Sequence, residues 1–350
     1  MKILYAIQAT GNGHISRANE LMPHLQKYGQ VDVFLSGSNS SLLSHMPVTY
    51  RSKGVSLFYG NTGALDYWKM AKSLAPLRIL KEAKNLPVEK YDVIINDFES
   101  ITALACKIKK KPFLHFGHQA SFASANTPRP AKKDITGEFL LQHYAGSRHS
   151  VGLHFKQYDT GIFSPVLKHN ILTSEPSNMG HITVYLCHYN DSVVCDQLHK
   201  VNHVEFHLFS KQEKEIRKVR NVIIFPINDT GFNQSMVSSA GVITGAGFET
   251  PSEALYLNKR LMCLPIKGQY EQLCNAAALK EFGVKIMPGI SDDFGKAIRD
   301  WLSDPLPEKL TLSTSTKDIV EIVIEKSLAI RNEDPSVSEE HLLQPDLSFA

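Results

Sequence analysis

The chain has 350 residues, of which 43% are apolar, with 38 Lys and Arg against 35 Asp and Glu and a formal charge of +3. That length accommodates two domains of ordinary size and the composition is globular, while the charge is too small to imply nucleic acid as a partner. Five cysteines without regular spacing argue against a disulfide framework, and the lack of an apolar run near the roughly 20 residues of a membrane span argues against a transmembrane segment, so a soluble cytoplasmic protein is expected.

At the N-terminus a short apolar run stops at Gln8, too short for a signal-peptide core. Lys2 to Ala9 reads as a buried strand, followed by Thr10-Gly11-Asn12-Gly13-His14 and a helix from about Ser16 to Tyr28. Gly11 and Gly13, with Ser16 in place of a third glycine, come near the dinucleotide fingerprint. That fingerprint needs a carboxylate at the end of the second strand, and Val31 to Ser36 ends in Ser36-Gly37-Ser38. Nicotinamide binding is therefore disfavoured. His14 has two readings: a solvent-facing histidine at a helix start, or a general base, since an unperturbed pKa of about 6.5 suits proton abstraction near neutral pH.

Val48 to Tyr59 supplies one or two further strands, and Gly63 to Asn85 a helical region broken at Pro76. Lysines and arginines interleave there with Trp68, Leu74, Leu77 and Leu80. Such a segment either packs its apolar side on the core or lies peripherally on an anionic membrane surface. Tyr91 to Asn96 is a strand that leads into Asp97, on the same rim as His14. Asp97 is either the N-cap of the next helix or a carboxylate that orients a histidine. Phe113 to Phe116 is the next strand, with His118 and Gln119 at its tip. Residues 120 to 137 show no periodicity and read as a mobile loop that shapes access to the rim.

Prolines, serines and glycines interrupt the alternation around residues 160 to 180, which divides the chain into an N-terminal domain, 1–168, and a C-terminal domain, 169–331. The second begins with a strand from Ile182 to His188. Asp191 to Val201 is then a helix, Val204 to Phe209 a strand, Glu213 to Val219 a short helix and Val222 to Pro226 a strand. His199, His203 and His207 do not share a helical face, and Cys187, Cys195 and His199 lack structural-zinc spacing, so no metal site is expected.

Residues 242 to 283 are the most informative stretch. Val242 to Thr244 and Leu261 to Pro265 read as buried parallel strands. Gly245-Ala246-Gly247 follows the first, and then a helix with Thr250 as N-cap, Pro251 in its first turn and Glu253 closing a capping box. After the second strand, Gly268 opens a helix whose first turn carries Glu271 and Gln272. Both helix starts offer N–H groups and a positive dipole end to an anion at the carboxyl ends of parallel strands. Helices from Asp292 to Leu302 and Ser315 to Ile330 complete the fold, and residues 332–350 read as a disordered tail. The expected class is α/β, with two doubly wound, Rossmann-like parallel-sheet domains facing across a cleft.

With these residues in place the sequence resembles the inverting GT-B glycosyltransferases of the nucleotide-sugar type, families 1 and 28. These include the plant and macrolide enzymes and the N-acetylglucosaminyltransferase that completes lipid II. The resemblance rests on GNGHISRA at 11–18, NDFES at 96–100, and GAGFETPSEAL with PIKGQYEQLCNA in the stretch above. It implies that His14 deprotonates the acceptor hydroxyl while Asp97 holds its imidazole, with Gly11, Asn12, Gly13, His118 and Gln119 on the acceptor side. Gly245, Gly247, Phe248, Glu249 and Thr250 would cradle the donor diphosphate, and Glu253 would take the ribose hydroxyls. Glu271 and Gln272 would bind the transferred sugar, and the backbone near Phe225 and Ile227 would read the base. Retaining relatives carry a glutamate eight residues before the ribose-binding one; Gly245 stands there, which implies inversion. The nucleotide sugar, with UDP as the expected carrier, is then a substrate, and no cofactor or metal is implied. The acceptor stays open between lipid-linked and glycan hydroxyls. A UDP-sugar 2-epimerase or a non-catalytic nucleotide-sugar binder remains the alternative.

Overall fold

A computed structural model describes residues 1–9, 11–37, 46–54 and 75–332; the expected strand beyond Gly54, the Trp68 region and the tail lie outside the described residues. Seven parallel strands form a first sheet: β1 (Lys2–Gln8), β2 (Gln30–Ser36), β3 (Val48–Ser52), β4 (Val93–Asp97), β5 (Leu114–Gly117), β6 (His149–Leu153) and β7 (Ile162–Phe163). Their spatial order is β3-β2-β1-β4-β5-β6-β7. The second sheet comprises β8 (Ile182–Tyr185), β9 (Phe206–Ser210), β10 (Arg217–Val219), β11 (Val222–Pro226), β12 (Gly241–Thr244), β13 (Arg260–Cys263) and β14 (Lys285–Ile286). It runs β10-β11-β9-β8-β12-β13-β14, with β10 antiparallel at its edge. The expected helix over 213–219 is thus a strand at its end. Val219 faces Val222 across a tight turn in which Arg220 has φ 53°, and backbone pairing at an open edge overrides the local pattern.

Strand order reverses between β1 and β4 in one sheet and between β8 and β12 in the other. Such switch points open a crevice at the carboxyl ends of the strands. β1 and β4 are apolar on both faces because both are covered, and Ile3, Tyr5, Ile7, Val93 and Ile95 are at most 2% exposed. The terminal helix, Thr316–Asn332, packs on the helix Asn12–Leu25 and on β4 and β5 of the first sheet. In space it belongs with that sheet, although the sequence assigned it to 169–331. Its buried Ile319, Val320, Val323 and Ile324 give the reason, each contributing about 1.5–3 kcal/mol of burial. Residues 120–137 are also more structured than expected. Gln119–Ala123 is a 3₁₀ turn, and Arg129 donates to the carbonyls of Phe122 (2.9 Å) and Thr127 (2.8 Å) and to Glu138 (2.6 Å).

Candidate active site

The helix after β1 begins at Asn12, earlier than its apolar periodicity suggests, so His14 stands in its first turn. Its Nδ1 lies 2.8 Å from Asp97 Oδ1. Asp97 is the last residue of β4 and does not cap the following helix. Glu99 does that, its carboxylate accepting from the N–H groups of Ile101 (2.9 Å) and Thr102 (2.6 Å). Phe98, between them, takes a left-handed backbone at φ 57°, an uncommon conformation that aims Asp97 one way and Glu99 the other.

Arg17 was assigned no role from sequence, yet it organises this end of the cleft. It is 2% exposed, donates from Nε (3.2 Å) and Nη2 (2.8 and 2.9 Å) to Asp97, and reaches Glu249 in the other half of the molecule through Nη1. Burial alone would raise the Asp97 carboxyl; Arg17 and then His14 overcome it and hold it well below the usual carboxylate range. His14 Nδ1 is also 3.0 Å from Arg17 Nη2. A nitrogen that gives its proton to Asp97 cannot accept from Arg17, so with Nδ1–H on the carboxylate the Nε2 lone pair faces the cleft. There Gln119 Nε2 stands 3.5 Å from it. Gly117, at φ +109°, is required beside them: a Cβ there would come within 2.8 Å of Asp97 Oδ1.

Across the cleft, the turn Gly245-Ala246-Gly247 leads into a helix at Glu249–Tyr256, with Phe248 at its cap position making no side-chain cap hydrogen bond among the described residues. The expected Thr250 cap and its box with Glu253 are absent. The helix starts earlier than Thr250, and the Glu253 carboxylate turns inward to Lys168 Nζ at 3.4 Å. No atom lies within 4 Å of a Cβ built on Gly247, so the approach to these N–H groups is open. Gly268 (φ +80°) makes the turn before the second helix, Tyr270–Lys280. Gln272 Oε1 accepts from the Ile266 N–H (2.9 Å) and Glu271 Oε2 from Gln119 (3.1 Å). His118 stacks on Phe248 with ring centres 4.0 Å apart, and its Nε2 lies 2.8 Å from Asn275 Oδ1.

Both halves thus line one open cleft of ≈ 280 Å³, walled by Gly11, Asn12, Gly13, His14, Gly247, Thr250, Glu271 and Gln272 among others. A half-open side pocket of ≈ 70 Å³ shares Asn12, Gly13, Glu249 and Thr250 with it and is bounded by Lys168, Ile227, Asp229 and Glu253. Ile227 lines the pocket, but its N–H is taken by the Ser210 carbonyl (2.9 Å). Phe225 lies off the wall, its ring stacked on Phe209, so its side chain serves packing. Burial lifts Glu253 to about 7 although Lys168 stands beside it. Lys168, 2.9 Å from Asp229 Oδ1, is pushed down by burial and, more strongly, pulled up by Glu253 and Asp229.

The Glu253 shift has a testable sign. A carboxyl raised on folding binds its proton more tightly in the native state, so stability is highest below the unfolded value and falls as pH rises to about 7. Glu253→Gln, which keeps Lys168 on Asp229, is expected to raise stability by about 1–3 kcal/mol at pH 8 and to change little at pH 4. Thermal melts across that range measure it, and a variant less stable at pH 8 would show that the Lys168 pair outweighs burial.

Among the described residues no three His, Cys, Asp or Glu side chains gather as metal ligands do. His207 instead stacks on His181 at 3.9 Å, and His199 bonds Asn221. Nor is any helix of the described residues long and apolar enough to cross a membrane.

Two doubly wound sheets with switch points on one cleft, and a helix N-terminus opposite a His–Asp pair, make up the GT-B architecture. Residues 1–304 match the family model for glycosyl transferase family 1, and the chain belongs to that family. Among solved structures it is similar to Arabidopsis thaliana UGT89C1, at 15% identity and TM-score 0.60 over 93% of this chain and 99% of that one. UGT89C1 complexed with UDP matches at 14% and 0.56, over 98% and 99%. The spinosyn forosaminyltransferase SpnP matches at 12% and 0.55, also over 98% and 99%. No curated protein matches the chain in sequence.

Proposed function

We propose that the protein is an inverting glycosyltransferase that moves a sugar from a nucleoside diphosphate donor, with UDP as the carrier, to an acceptor hydroxyl. The observation that carries this reading is the His14–Asp97 contact of 2.8 Å, set across the cleft from the uncapped start of Glu249–Tyr256. His14 Nε2 takes the acceptor proton, and the acceptor oxygen attacks the anomeric carbon from the face opposite the diphosphate. The bond to the diphosphate breaks with its electron pair on the leaving oxygen, and Asp97 stabilises the imidazolium. Charge on the leaving group is met by the N–H groups at 247–250 and the dipole of the helix Glu249–Tyr256 rather than by a divalent ion. Glu253 takes the ribose hydroxyls, and Glu271 with Gln272 the transferred sugar; the nucleotide sugar is a substrate, and no cofactor takes part. The acceptor, a lipid-linked or glycan hydroxyl, approaches past His118 and Gln119, whose amide must leave His14 first.

A nucleotide screen tests the donor side. UDP at about 100 times its Kd is expected to stabilise the native state by about 2.7 kcal/mol, ahead of TDP and GDP. Donor depletion with and without lipid extract then separates transfer from hydrolysis. No stabilisation by any of the three nucleotides would sink the reading.

A further inference from the structure

We propose that Arg17 is a positioning residue for the donor: it holds the Glu249 carboxylate away from the N–H groups at the start of Glu249–Tyr256, which keeps that helix start available to the diphosphate. The inference rests on the donor reading above.

Glu249 is acidic and sits in the first turn of that uncapped helix, where a carboxylate is itself a good ligand for the free N–H groups and the dipole. Left to itself it would compete with the diphosphate for the same donors and repel its charge. In the structure it does neither, because its side chain crosses the cleft. Its carboxylate is bound by Arg17 Nη1, and its Cγ lies 2.9 Å from where a Cβ on Gly13 would stand. Gly13 and Arg17 are four residues apart on one helix, hence on one face, and together they form the seat for Glu249. The bare backbone at 13 leaves room for that seat, and the buried guanidinium at 17 supplies its charge.

The charges close the argument. Asp97 and Glu249 bring two negative charges against the one of Arg17, and among the described residues lining the main cleft Arg17 is the lysine-or-arginine cation. Without it, Glu249 keeps only the weaker pull of His14 and Lys168 and stands as a poorly compensated carboxylate beside the diphosphate. Burial already pushes Glu249 upward, with Arg17 the largest influence in the opposite direction.

A double-mutant cycle read by UDP calorimetry tests this. Arg17→Met is expected to weaken UDP binding by about 10- to 100-fold. Adding Glu249→Gln removes the competing charge and is expected to restore affinity to within about twofold of the parent. A purely structural role for Arg17, through Asp97, predicts no such rescue, and a double variant as weak as Arg17→Met overturns the proposal. Glu249→Gln alone keeps it testable should Arg17→Met fail to fold. There the helix start is already open in the parent, so UDP affinity is expected to stay within about twofold of it, and a larger loss counts against the inference. If the parent itself does not bind UDP, the donor reading fails instead.

Discussion

His14→Ala is expected to lower sugar transfer by about 10²–10⁴-fold, the range of a lost general base, with UDP affinity nearly unchanged. The two halves of that statement come from different walls of the cleft. His14 is held by Asp97 on the first sheet, whereas the open N–H groups belong to the helix after β12 on the second. Removing the imidazole leaves the diphosphate seat intact, so the loss should fall on the rate of the chemical step rather than on nucleotide binding. It should also leave Asp97 paired, because Arg17 approaches that carboxylate at three distances of 3.2 Å or less without help from His14. The variant is therefore expected to fold normally, and a thermal melt beside the rate measurement establishes that. Equal transfer rates in variant and parent would remove His14 from the mechanism, and a parallel loss of UDP affinity would make it a donor ligand.

How much of this was legible in the sequence follows from the range of the interactions. β1, β4 and β12 were readable because a strand covered on both faces must be apolar throughout, and the glycine turns after β1 and β12 because the chain there reverses into a helix. The pairing of His14 with Asp97 could be suspected only because both stand at strand ends on the same rim; the separation of 83 positions holds no local signal for the 2.8 Å contact. Arg17 has a local signal: it lies one helical turn beyond His14, on the same face, inside the GNGHISRA motif. Lys168 had none, since its partners Asp229, Asn233 and Glu253 come from a different stretch of chain. The capping box failed because the helix starts at Glu249, before Thr250, and the Glu253 carboxylate faces the partly buried Lys168 at 3.4 Å. The edge strand at 217–219 failed for the opposite reason: its local pattern was helical enough, and only β11 beside it makes it a strand.

Asp97→Asn is expected to be the most damaging of the conservative changes, because it acts on stability and catalysis together. The carboxylate is fully buried and bound by Arg17, His14 and, at 3.4 Å, the Tyr5 hydroxyl. An amide of the same shape leaves the guanidinium buried with Glu249 as its remaining carboxylate, and breaking a buried pair of this kind costs about 3–5 kcal/mol. The pH dependence gives the assignment its sign. The folded pKa of Asp97 is depressed below the unfolded value, so its contribution is complete above that value and is lost as pH falls through the folded one. The gap in melting temperature between parent and Asp97→Asn should therefore be wide and nearly constant from pH 7 to about pH 4 and close progressively below that, toward the depressed folded value. A gap that persists undiminished down to about pH 2 would mean that the amide disturbs packing rather than charge. For catalysis, an asparagine at 97 offers an amide where His14 Nδ1–H needs an acceptor, which favours the tautomer with its lone pair turned away from the cleft. Transfer per folded molecule is expected to fall by about 10⁴-fold, as in triads that lose the same carboxylate. If folded Asp97→Asn retains parental transfer, His14 is not working through Asp97, and the base must be sought elsewhere on the acceptor wall.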